Sequence, residues 1–240
     1  MSTRESGQAP DPGVDRTIRS FNARRGRVRS GTAEVLERLW PAWGVDVAED
    51  FTLASLFPDL NAAVINADVV LEIGCGMGET TLAMAAAEPR RPLLAVDVHT
   101  PGLGAILRGC ESEGLTNVRV VRGDAVALLV DRISVASLSE IRIFFPDPWP
   151  KLRHKKRRLI QPDFVRLAAS RLRVGGQIHC ATDWSEYALQ MLDVMSAEPG
   201  LRNEFQGFAP RPATRPTTRF EAKGLEKGHS IADLIFVRDA

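Results

Sequence analysis

Residues 69–78, VVLEIGCGMG, decide the fold class of this chain. A run of apolar and β-branched residues indicates a buried strand, and the three glycines that follow indicate a loop. Residues 79–88, ETTLAMAAAE, then have the composition of a helix, which ends before Pro89. A strand, a glycine-rich loop and a helix in this order predict a βα unit, whose loop lets a ligand approach its backbone.

The glycine pattern of this loop limits the class of ligand. Gly74, Gly76 and Gly78 form GxGxG, whereas the dinucleotide fingerprint GxGxxG requires a glycine at the position of Glu79. A carboxylate at the helix amino terminus opposes a pyrophosphate, and no GKS or GKT follows as in a P-loop. The loop therefore favours a nucleoside ligand without phosphates, such as S-adenosylmethionine, with Glu72 near its cationic end.

Acidic residues stand at the ends of four predicted strands, namely Glu72, Asp97, Asp124 and Asp147. Asp97 lies 19 residues after Gly78, a spacing at which an acid can accept from both ribose hydroxyls of an adenosine. Asp124 can accept a hydrogen bond from the adenine amino group. Each acid alone is at least as typical of a helix N-cap or a turn, but the four together predict one ligand-binding edge of the sheet.

The strand before Asp147 opens residues 141–158, IRIFFPDPWPKLRHKKRR. Pro146 ends this strand, so Asp147 lies at a carboxyl end, where open α/β sheets bind ligands. Pro148 and Pro150 keep Asp147 and Trp149 in a turn that cannot become helical.

Residues 151–158, which follow this turn, contain six basic residues and no acid. The ordinary interpretation of such a run is a solvated helix face. Its position directly after a ligand-binding turn instead favours a polyanionic substrate such as RNA. The basic residues would bind the substrate beside the Asp147 carboxylate and the flat indole of Trp149.

The composition predicts a cytoplasmic protein with one sizeable core. The chain has 240 residues, of which 44% are hydrophobic, and it contains neither an 18-residue apolar run nor an amino-terminal signal peptide. We therefore expect no membrane association. The three cysteines are far apart and the four histidines have no ligand spacing, so we expect no metal and no disulfide.

The net charge of +1 conceals two basic segments. Residues 16–29 contain six arginines and no acid, and residues 151–158 contain six further basic residues. The rest of the chain therefore has 19 of the 31 basic residues against all 30 acidic ones. Two basic strips on an acidic body are the electrostatic pattern expected of a nucleic-acid-binding protein.

The organisation of the chain follows from these segments. We predict a disordered tail at 1–15, a basic arm and helical cover at 16–68, and a catalytic domain at 69–240. Within the cover, a helix capped by Thr32 is expected to end before Pro41. Residues 210–224, PRPATRPTTRFEAKG, have neither a strand nor a helix period and are predicted to be a functional loop.

Several motifs resemble those of the bacterial tRNA (guanine-N7)-methyltransferases, a family of class I S-adenosylmethionine-dependent methyltransferases. They are IRSF near the amino end, LEIGxGMG, FFPDPW followed by K and KRR, ATDW, and RPxTxFE late in the chain. The resemblance covers about residues 16–238. The glycine loop is shared by many methyltransferases, whereas FFPDPW with KRR and the late segment are specific to this family.

The resemblance implies a fold and a reaction. The fold is a doubly wound, seven-stranded α/β sheet with helices on both faces and an antiparallel last strand. The reaction transfers a methyl group from S-adenosylmethionine to N7 of the guanine at position 46, in the variable loop of tRNA, and forms 7-methylguanosine. The resemblance leaves open whether the protein is a monomer or a homodimer.

The resemblance also implies roles for individual residues. The residues that line the cofactor are Glu72, Asp97, Asp124 and Asp147. Asp147 is in addition the catalytic aspartate. The substrate-binding residues are Lys151, Asp183, Thr218, Arg219, Phe220 and Glu221. The family commonly has glutamate where this chain has Asp97, so the ribose contact is longer or bridged by water.

Without the resemblance, the residues alone leave other functions open. A class I methyltransferase can act on another RNA or on a small molecule, because the fold accepts many substrates. A protein that binds RNA without catalysis is a third reading. The intact glycine loop and the four acids at strand ends argue against it.

Overall fold

The structure is a computed structural model and describes residues 30–58, 64 and 68–239. Its helices are α1 (Ser30–Trp43), α2 (Leu53–Leu56), α3 (Glu79–Ala87), α4 (Thr100–Glu113), α5 (Ala125–Asp131), α6 (Pro162–Arg171), α7 (Ser185–Ser196) and α8 (Arg219–Glu226), with a 3-10 helix at Leu152–Arg157. Its strands are β1 (Gly44–Asp46), β2 (Val70–Ile73), β3 (Leu93–Asp97), β4 (Val118–Arg122), β5 (Leu138–Phe144), β6 (Leu172–Thr182), β7 (Leu201–Asn203) and β8 (Ala232–Arg238). The predicted tail at 1–15 and the arginine-rich arm at 16–29 lie outside the described residues.

The strands form one sheet in the order β1-β4-β3-β2-β5-β6-β8-β7. All neighbours are parallel except β8, which is antiparallel to both β6 and β7. The predicted doubly wound α/β fold with an antiparallel last strand is therefore confirmed. Leu71 of β2 pairs with Ile141 of β5, so the glycine loop and the Asp147 turn leave adjacent strands at the point where the strand order reverses, which is where such sheets bind ligands.

The prediction of seven strands is wrong, because the described residues form eight. The additional strand is β1 at the edge of the sheet, where Gly44 pairs with Val120. Arg122 holds β1 in place by donating from Nε and Nη2 to the Asp46 carboxylate at 2.6 Å each, and its guanidinium lies 4.9 Å from the Trp40 ring centroid. A strand of three residues is too short to show a period in the sequence.

Apolar side chains cover both faces of the sheet. Strand β2 is buried along its whole length, as expected of a parallel strand between two helical layers. On one face α5, α6 and α7 contribute residues such as Leu128, Phe164 and Met191, and on the other face α1 and α4 contribute residues such as Leu39 and Ile106. The loops at the carboxyl ends of the strands therefore rest on a rigid base.

Helix α1 continues past the end predicted for it. The helix was expected to end before Pro41 but reaches Trp43, and Thr32 lies inside it rather than at its cap. The indole Nε1 of Trp43 donates to the Leu115 carbonyl at 2.9 Å. This tertiary contact stabilises the last turn, where a proline removes only one intrahelical hydrogen bond.

Two further observations concern expectations that were drawn from the composition. In the part of the chain that the structure describes, we find no helix with the length and apolarity that a membrane crossing requires. Cys75, Cys110 and Cys180 are buried as free thiols, and burial raises the pKa of Cys110 and of Cys180 to about 12. These cysteines pack as small hydrophobic residues, as predicted.

Candidate active site

A cleft of about 1080 Å³ opens at the carboxyl ends of β2, β3 and β5. Its floor is formed by residues 72–80 and 96–99, and one wall is formed by residues 143–147 with Trp149. Residues 156–159 and 218–220 complete its mouth. The topology therefore brings the glycine loop, the proline-rich turn and part of the late segment to one site.

The glycine loop adopts a conformation that other residues rarely accept. Gly74, Gly76 and Gly78 have φ of 78°, 56° and 80°, in the left-handed region. A Cβ on Gly78 would lie 2.0 Å from Cγ1 of Ile106, whereas a Cβ on Gly74 or Gly76 would meet nothing within 4 Å. Gly78 thus serves the packing of the loop on α4, and the other two leave open space for a ligand.

Asp97 lies at the end of β3 and contacts the glycine loop directly. Its Oδ2 accepts from the Gly76 backbone N–H and its Oδ1 accepts from the His99 backbone N–H, both at 2.9 Å. The side chain is half-buried and lines the cleft. Each carboxylate oxygen has a second lone pair, so Asp97 can still accept from a ligand hydroxyl.

Glu72 lies beneath the loop and is only 3% exposed. Its Oε2 accepts from the Thr81 hydroxyl at 2.7 Å. Burial raises the pKa of Glu72, and the Thr81 hydrogen bond and the nearby Arg142 only partly offset this effect. Because a buried carboxylate is costly in isolation, Glu72 is suited to a cationic group brought to the loop.

Asp124 caps a helix, which is the alternative to a ligand contact that the sequence left open. It is the N-cap of α5, and its Oδ1 accepts from the backbone N–H groups of Val126 and Ala127 at 2.9 and 3.1 Å. Gly123 and Ala125 line the cleft, whereas Asp124 is not among the described residues that do so. A contact of Asp124 with adenine stays a prediction.

Asp147 is exposed in the turn that follows β5 and lines the cleft. Within the described residues its carboxylate has no hydrogen bond or ion pair. Phe145 and Trp149, on either side of it, have φ of 51° and 43°, which costs free energy in residues with a side chain. Strain of this kind is typical of functional sites, so the turn presents Asp147 at the cleft at an energetic cost.

The basic run forms the 3-10 helix rather than a long solvated α-helix. Its exposed members are Lys151, Arg153, Lys156 and Arg157. The Arg157 guanidinium lies 5.2 Å from the Trp149 ring centroid, and the His154 ring meets the same indole edge-on at 5.8 Å. Partial burial and then the neighbouring arginines lower the pKa of His154, so this surface gains no further positive charge at neutral pH.

Two members of the basic run contact the protein instead of solvent. Lys155 forms an ion pair with Glu186 of α7. Arg158 is 2% exposed and donates from Nε to the Pro148 carbonyl at 2.7 Å. The prediction that the whole run faces a polyanion is therefore too broad for these two positions.

Helix α8 forms part of the segment that was predicted to be a loop, because that segment contains a capping box. Thr218 accepts from the Glu221 backbone N–H at 2.9 Å, and the Glu221 carboxylate accepts from the Thr218 N–H at 3.4 Å. This arrangement starts a helix without the usual apolar period. Arg219, in its first turn, forms an ion pair with Glu79 across the mouth of the cleft.

A buried ionic cluster lies behind α8 and joins it to the sheet. Arg215, whose side chain is fully buried, donates to Glu221 at 2.6 Å and to Asp233 of β8 at 2.8 Å. Asp233 also pairs with His179 of β6 at 2.7 Å. The Arg215 guanidinium lies 5.9 Å from the Phe145 ring centroid, so the cluster supports the turn as well as the helix.

The six predicted substrate-binding residues separate into two groups. Thr218, Arg219 and Phe220 line the cleft, and the exposed Phe220 ring stacks on Phe145 with 6.5 Å between centroids. The other three, which are not part of the cleft lining, are Lys151, Asp183 and Glu221. Asp183 contacts His229 at 3.2 Å behind α8, and Glu221 belongs to the buried cluster.

Sequence reasoning missed Arg215, Asp233 and His179, as well as the part that Phe145 plays in the cleft. No local pattern marks the ionic cluster, because its members lie in β6, in β8 and before α8. The conformation of Phe145 was not readable either, because a residue before a proline is expected to be extended, whereas Phe145 has a φ of 51°. Among the described residues we find no group of three or more potential metal ligands.

Two solved structures with the same fold are useful for comparison. The 16S rRNA methyltransferase KamB superposes with a TM-score of 0.56 and 16% sequence identity, covering 80% of this chain and 96% of its own. TrmN from Thermus thermophilus gives a TM-score of 0.52 and 20% identity, covering 78% of this chain and 47% of its own. At this level of identity, both comparisons establish the fold alone.

Sequence comparisons are more specific than the structural ones. A family model described as "Putative methyltransferase" matches residues 66–234. The tRNA (guanine-N(7)-)-methyltransferases of Streptomyces avermitilis and Streptomyces coelicolor are 52% and 53% identical, over 97% of this chain and 80% and 86% of theirs. That of Bordetella pertussis is 47% identical over 96% of this chain and 89% of its own. The chain therefore belongs to the tRNA (guanine-N(7)-)-methyltransferase family.

Proposed function

We propose that this chain transfers a methyl group to N7 of guanine in tRNA and forms 7-methylguanosine, with S-adenosylmethionine as the donor. The names of the relatives support the reaction. The observation that carries the proposal is the exposed carboxylate of Asp147, which has no partner among the described residues and shares a cleft with the glycine loop. The finer assignment, position 46 in the variable loop, rests on the family resemblance.

The residues around the glycine loop fit S-adenosylmethionine. Gly74 and Gly76 leave open space above the loop, Asp97 offers a carboxylate for ribose hydroxyls, and the buried Glu72 suits a cationic amine. The volume of about 1080 Å³ leaves room for a second ligand. When bound, S-adenosylmethionine supplies an electrophilic methyl group on a sulfonium.

The reaction needs positioning and charge stabilisation from the protein. N7 of guanine has an exposed lone pair, so no base has to deprotonate it. As N7 attacks the methyl carbon, the bond from that carbon to sulfur breaks, and positive charge passes to the base. Asp147 accepts hydrogen bonds from N1 and the amino group of guanine, and its negative charge offsets the developing charge. Since no proton is removed from N7, we assign no metal to the reaction.

The rim of the cleft is suited to hold the RNA. The exposed cations Lys151, Arg153, Lys156 and Arg157 bind phosphates. Trp149 and Phe220 offer flat surfaces on which an unpaired base stacks. Thr218 fixes α8 as its N-cap at the cleft, whereas Glu221 and Asp183 support α8 from behind. We place the reaction in the cytoplasm, with the protein acting as a monomer or a homodimer.

Mass spectrometry of nucleosides tests this function. Unmodified tRNA is incubated with the protein and S-adenosylmethionine and then digested to nucleosides, and we expect about one 7-methylguanosine per tRNA, formed from the guanosine at position 46 of the variable loop. A tRNA with adenosine at that position is the matched control and should gain no methyl group. Methylation of small amines in place of tRNA, or tRNA binding with no product, would contradict the proposal in favour of the two alternatives.

A further inference from the structure

Arg158 differs from the other basic residues of its run because its guanidinium is inside the protein. Its side chain is fully buried, whereas Arg157 and Lys156 beside it are exposed. A charge that solvent cannot reach is poorly placed to bind a phosphate. The position of Arg158 therefore calls for another role.

The guanidinium of Arg158 joins the Asp147 turn to α7. Nε donates to the Pro148 carbonyl at 2.7 Å, and Nη1 donates to Oε1 of Gln190 at 2.5 Å. The planar group also lies over the Tyr187 ring, 4.7 Å from its centroid. The Tyr187 hydroxyl in turn accepts from the Ile160 backbone N–H at 3.1 Å. The chain that follows the turn is thus fastened to one face of α7.

The turn depends on contacts of this kind because it has few donors of its own. Pro146, Pro148 and Pro150 have no backbone N–H. The Phe145 N–H donates to the Ala181 carbonyl of β6 at 2.7 Å, which fixes the turn on one side of Asp147. The bond from Arg158 to the Pro148 carbonyl fixes it on the other side. Asp147 lies between these two points.

Stability alone does not account for the burial of Arg158. The nearest carboxylate, that of Glu186, lies 3.4 Å away, is half exposed and is shared with Lys155. Nη2 of Arg158 has no hydrogen-bond partner among the described residues. A buried charge with such incomplete compensation generally costs more free energy than an apolar side chain of similar volume. The benefit of burying Arg158 therefore lies in the geometry that its forked N–H donors impose on the Asp147 turn.

We infer that Arg158 is a positioning residue for methyl transfer, which holds Asp147 in place through the Pro148 carbonyl and does not bind tRNA. The inference rests on the proposed function for the reaction that it serves. A misplacement of a catalytic group by about 1 Å can lower a rate about a hundredfold. We therefore expect the contacts of Arg158 to affect the rate of the chemical step rather than the affinity for tRNA.

The first test compares R158K with K156Q. R158K keeps the charge but loses the fork, so it cannot reach both Pro148 and Gln190. We expect its single-turnover rate, per site that binds S-adenosylmethionine, to fall about 10-fold to 100-fold, with the tRNA Kd and its salt dependence within about twofold of the parent's. K156Q should show the reverse pattern, a higher Kd and a salt slope smaller by about one.

The second test needs no methylation activity. The protein is labelled with 5-fluorotryptophan, and the resonance of Trp149 is assigned with W149F. We expect R158K to shift or broaden the Trp149 resonance and to leave those of Trp40 and Trp43 unchanged. Q190A removes the acceptor of Nη1 and should act in the same direction with a smaller effect. It provides a second variant if R158K fails to fold.

The two tests fail in different ways. An unchanged Trp149 resonance in both R158K and Q190A would overturn the inference whatever the protein methylates. An R158K variant that loses tRNA affinity and salt dependence as K156Q does would overturn it as well, by making Arg158 a phosphate contact. A parent protein that forms no 7-methylguanosine would instead refute the proposed function, and the resonance of Trp149 would still decide whether Arg158 fixes the turn.

Discussion

At the scale of single residues, Asp147 is the clearest target. Asp147→Asn keeps the shape of the side chain but removes its charge and one acceptor. We expect the single-turnover rate at saturating tRNA to fall about a hundredfold, the scale of one preorganised electrostatic group, while the tRNA Kd changes by less than about threefold. Asp193→Asn, on the exposed surface of α7, is the control. A rate equal to the parent's would remove the catalytic role of Asp147.

Asp97 is the residue on which cofactor binding depends most directly. Asp97→Asn loses the charge that strengthens hydrogen bonds from ribose hydroxyls, so we expect the affinity for S-adenosylmethionine to weaken by about 1.5 to 3 kcal/mol. Calorimetry measures this change, and tRNA affinity should stay near that of the parent. Asp131→Asn, exposed at the end of α5, should behave like the parent. If Asp97→Asn bound S-adenosylmethionine as tightly as Asp131→Asn does, the role of Asp97 would be limited to holding the glycine loop.

At the scale of elements, α8 depends on its capping box. Thr218→Ala removes the acceptor for the Glu221 N–H and should cost about 1 kcal/mol of helix stability. Since Arg219 and Phe220 lie in the first turn, we expect faster proteolysis of residues 211–226 and weaker tRNA binding, with cofactor affinity preserved. Thr214→Ala, at an exposed position just before Arg215, is the matched control. Identical digestion of the two variants would refute the role of the cap.

At the scale of the whole molecule, buried ion pairs set the response to acid. Burial opposes ionisation of Asp233 and Glu221, but hydrogen bonds from His179 and Arg215, and from Arg211 and Arg215, outweigh it and lower both pKa values. A carboxylate with a lowered pKa stabilises the fold at pH values above its unfolded-state pKa of about 4. This stabilisation is lost as the pH falls through the pKa of the folded state. Glu72, with its raised pKa, contributes with the opposite sign.

We therefore expect the free energy of unfolding, measured with urea between pH 3 and pH 7, to decrease below about pH 4. Asp233→Asn leaves Arg215 with one partner fewer. This variant should lose about 3 to 5 kcal/mol at neutral pH, the scale of breaking a buried pair, and show a weaker dependence on acid. A parent protein with constant stability across this range would contradict the importance of the cluster.

Particular residues show what the sequence could and could not predict. Asp97 and Asp147 were placed at one edge because carboxyl ends of parallel strands meet there, and the strand pattern was clear. Strand β1 was not expected and strand β7 was not located in the sequence, because three residues carry no period and tertiary pairing defines both strands. The capping box of Thr218 and Glu221 was a readable signal for α8. The burial of Arg158 was not readable, since its acceptors lie in another turn and another helix.

The position of β8 between β6 and β7 has a consequence for synthesis of the protein. Strand β7 cannot join the sheet until β8, which comes after it in the chain, has emerged from the ribosome. The glycine loop and Asp97 are made early, whereas Asp233, which fixes Arg215 and through it α8, is made last. A nascent chain therefore contains the glycine loop and Asp97 before it can complete the ionic cluster behind α8, and α8 gains its link to the sheet only once β8 is free to fold.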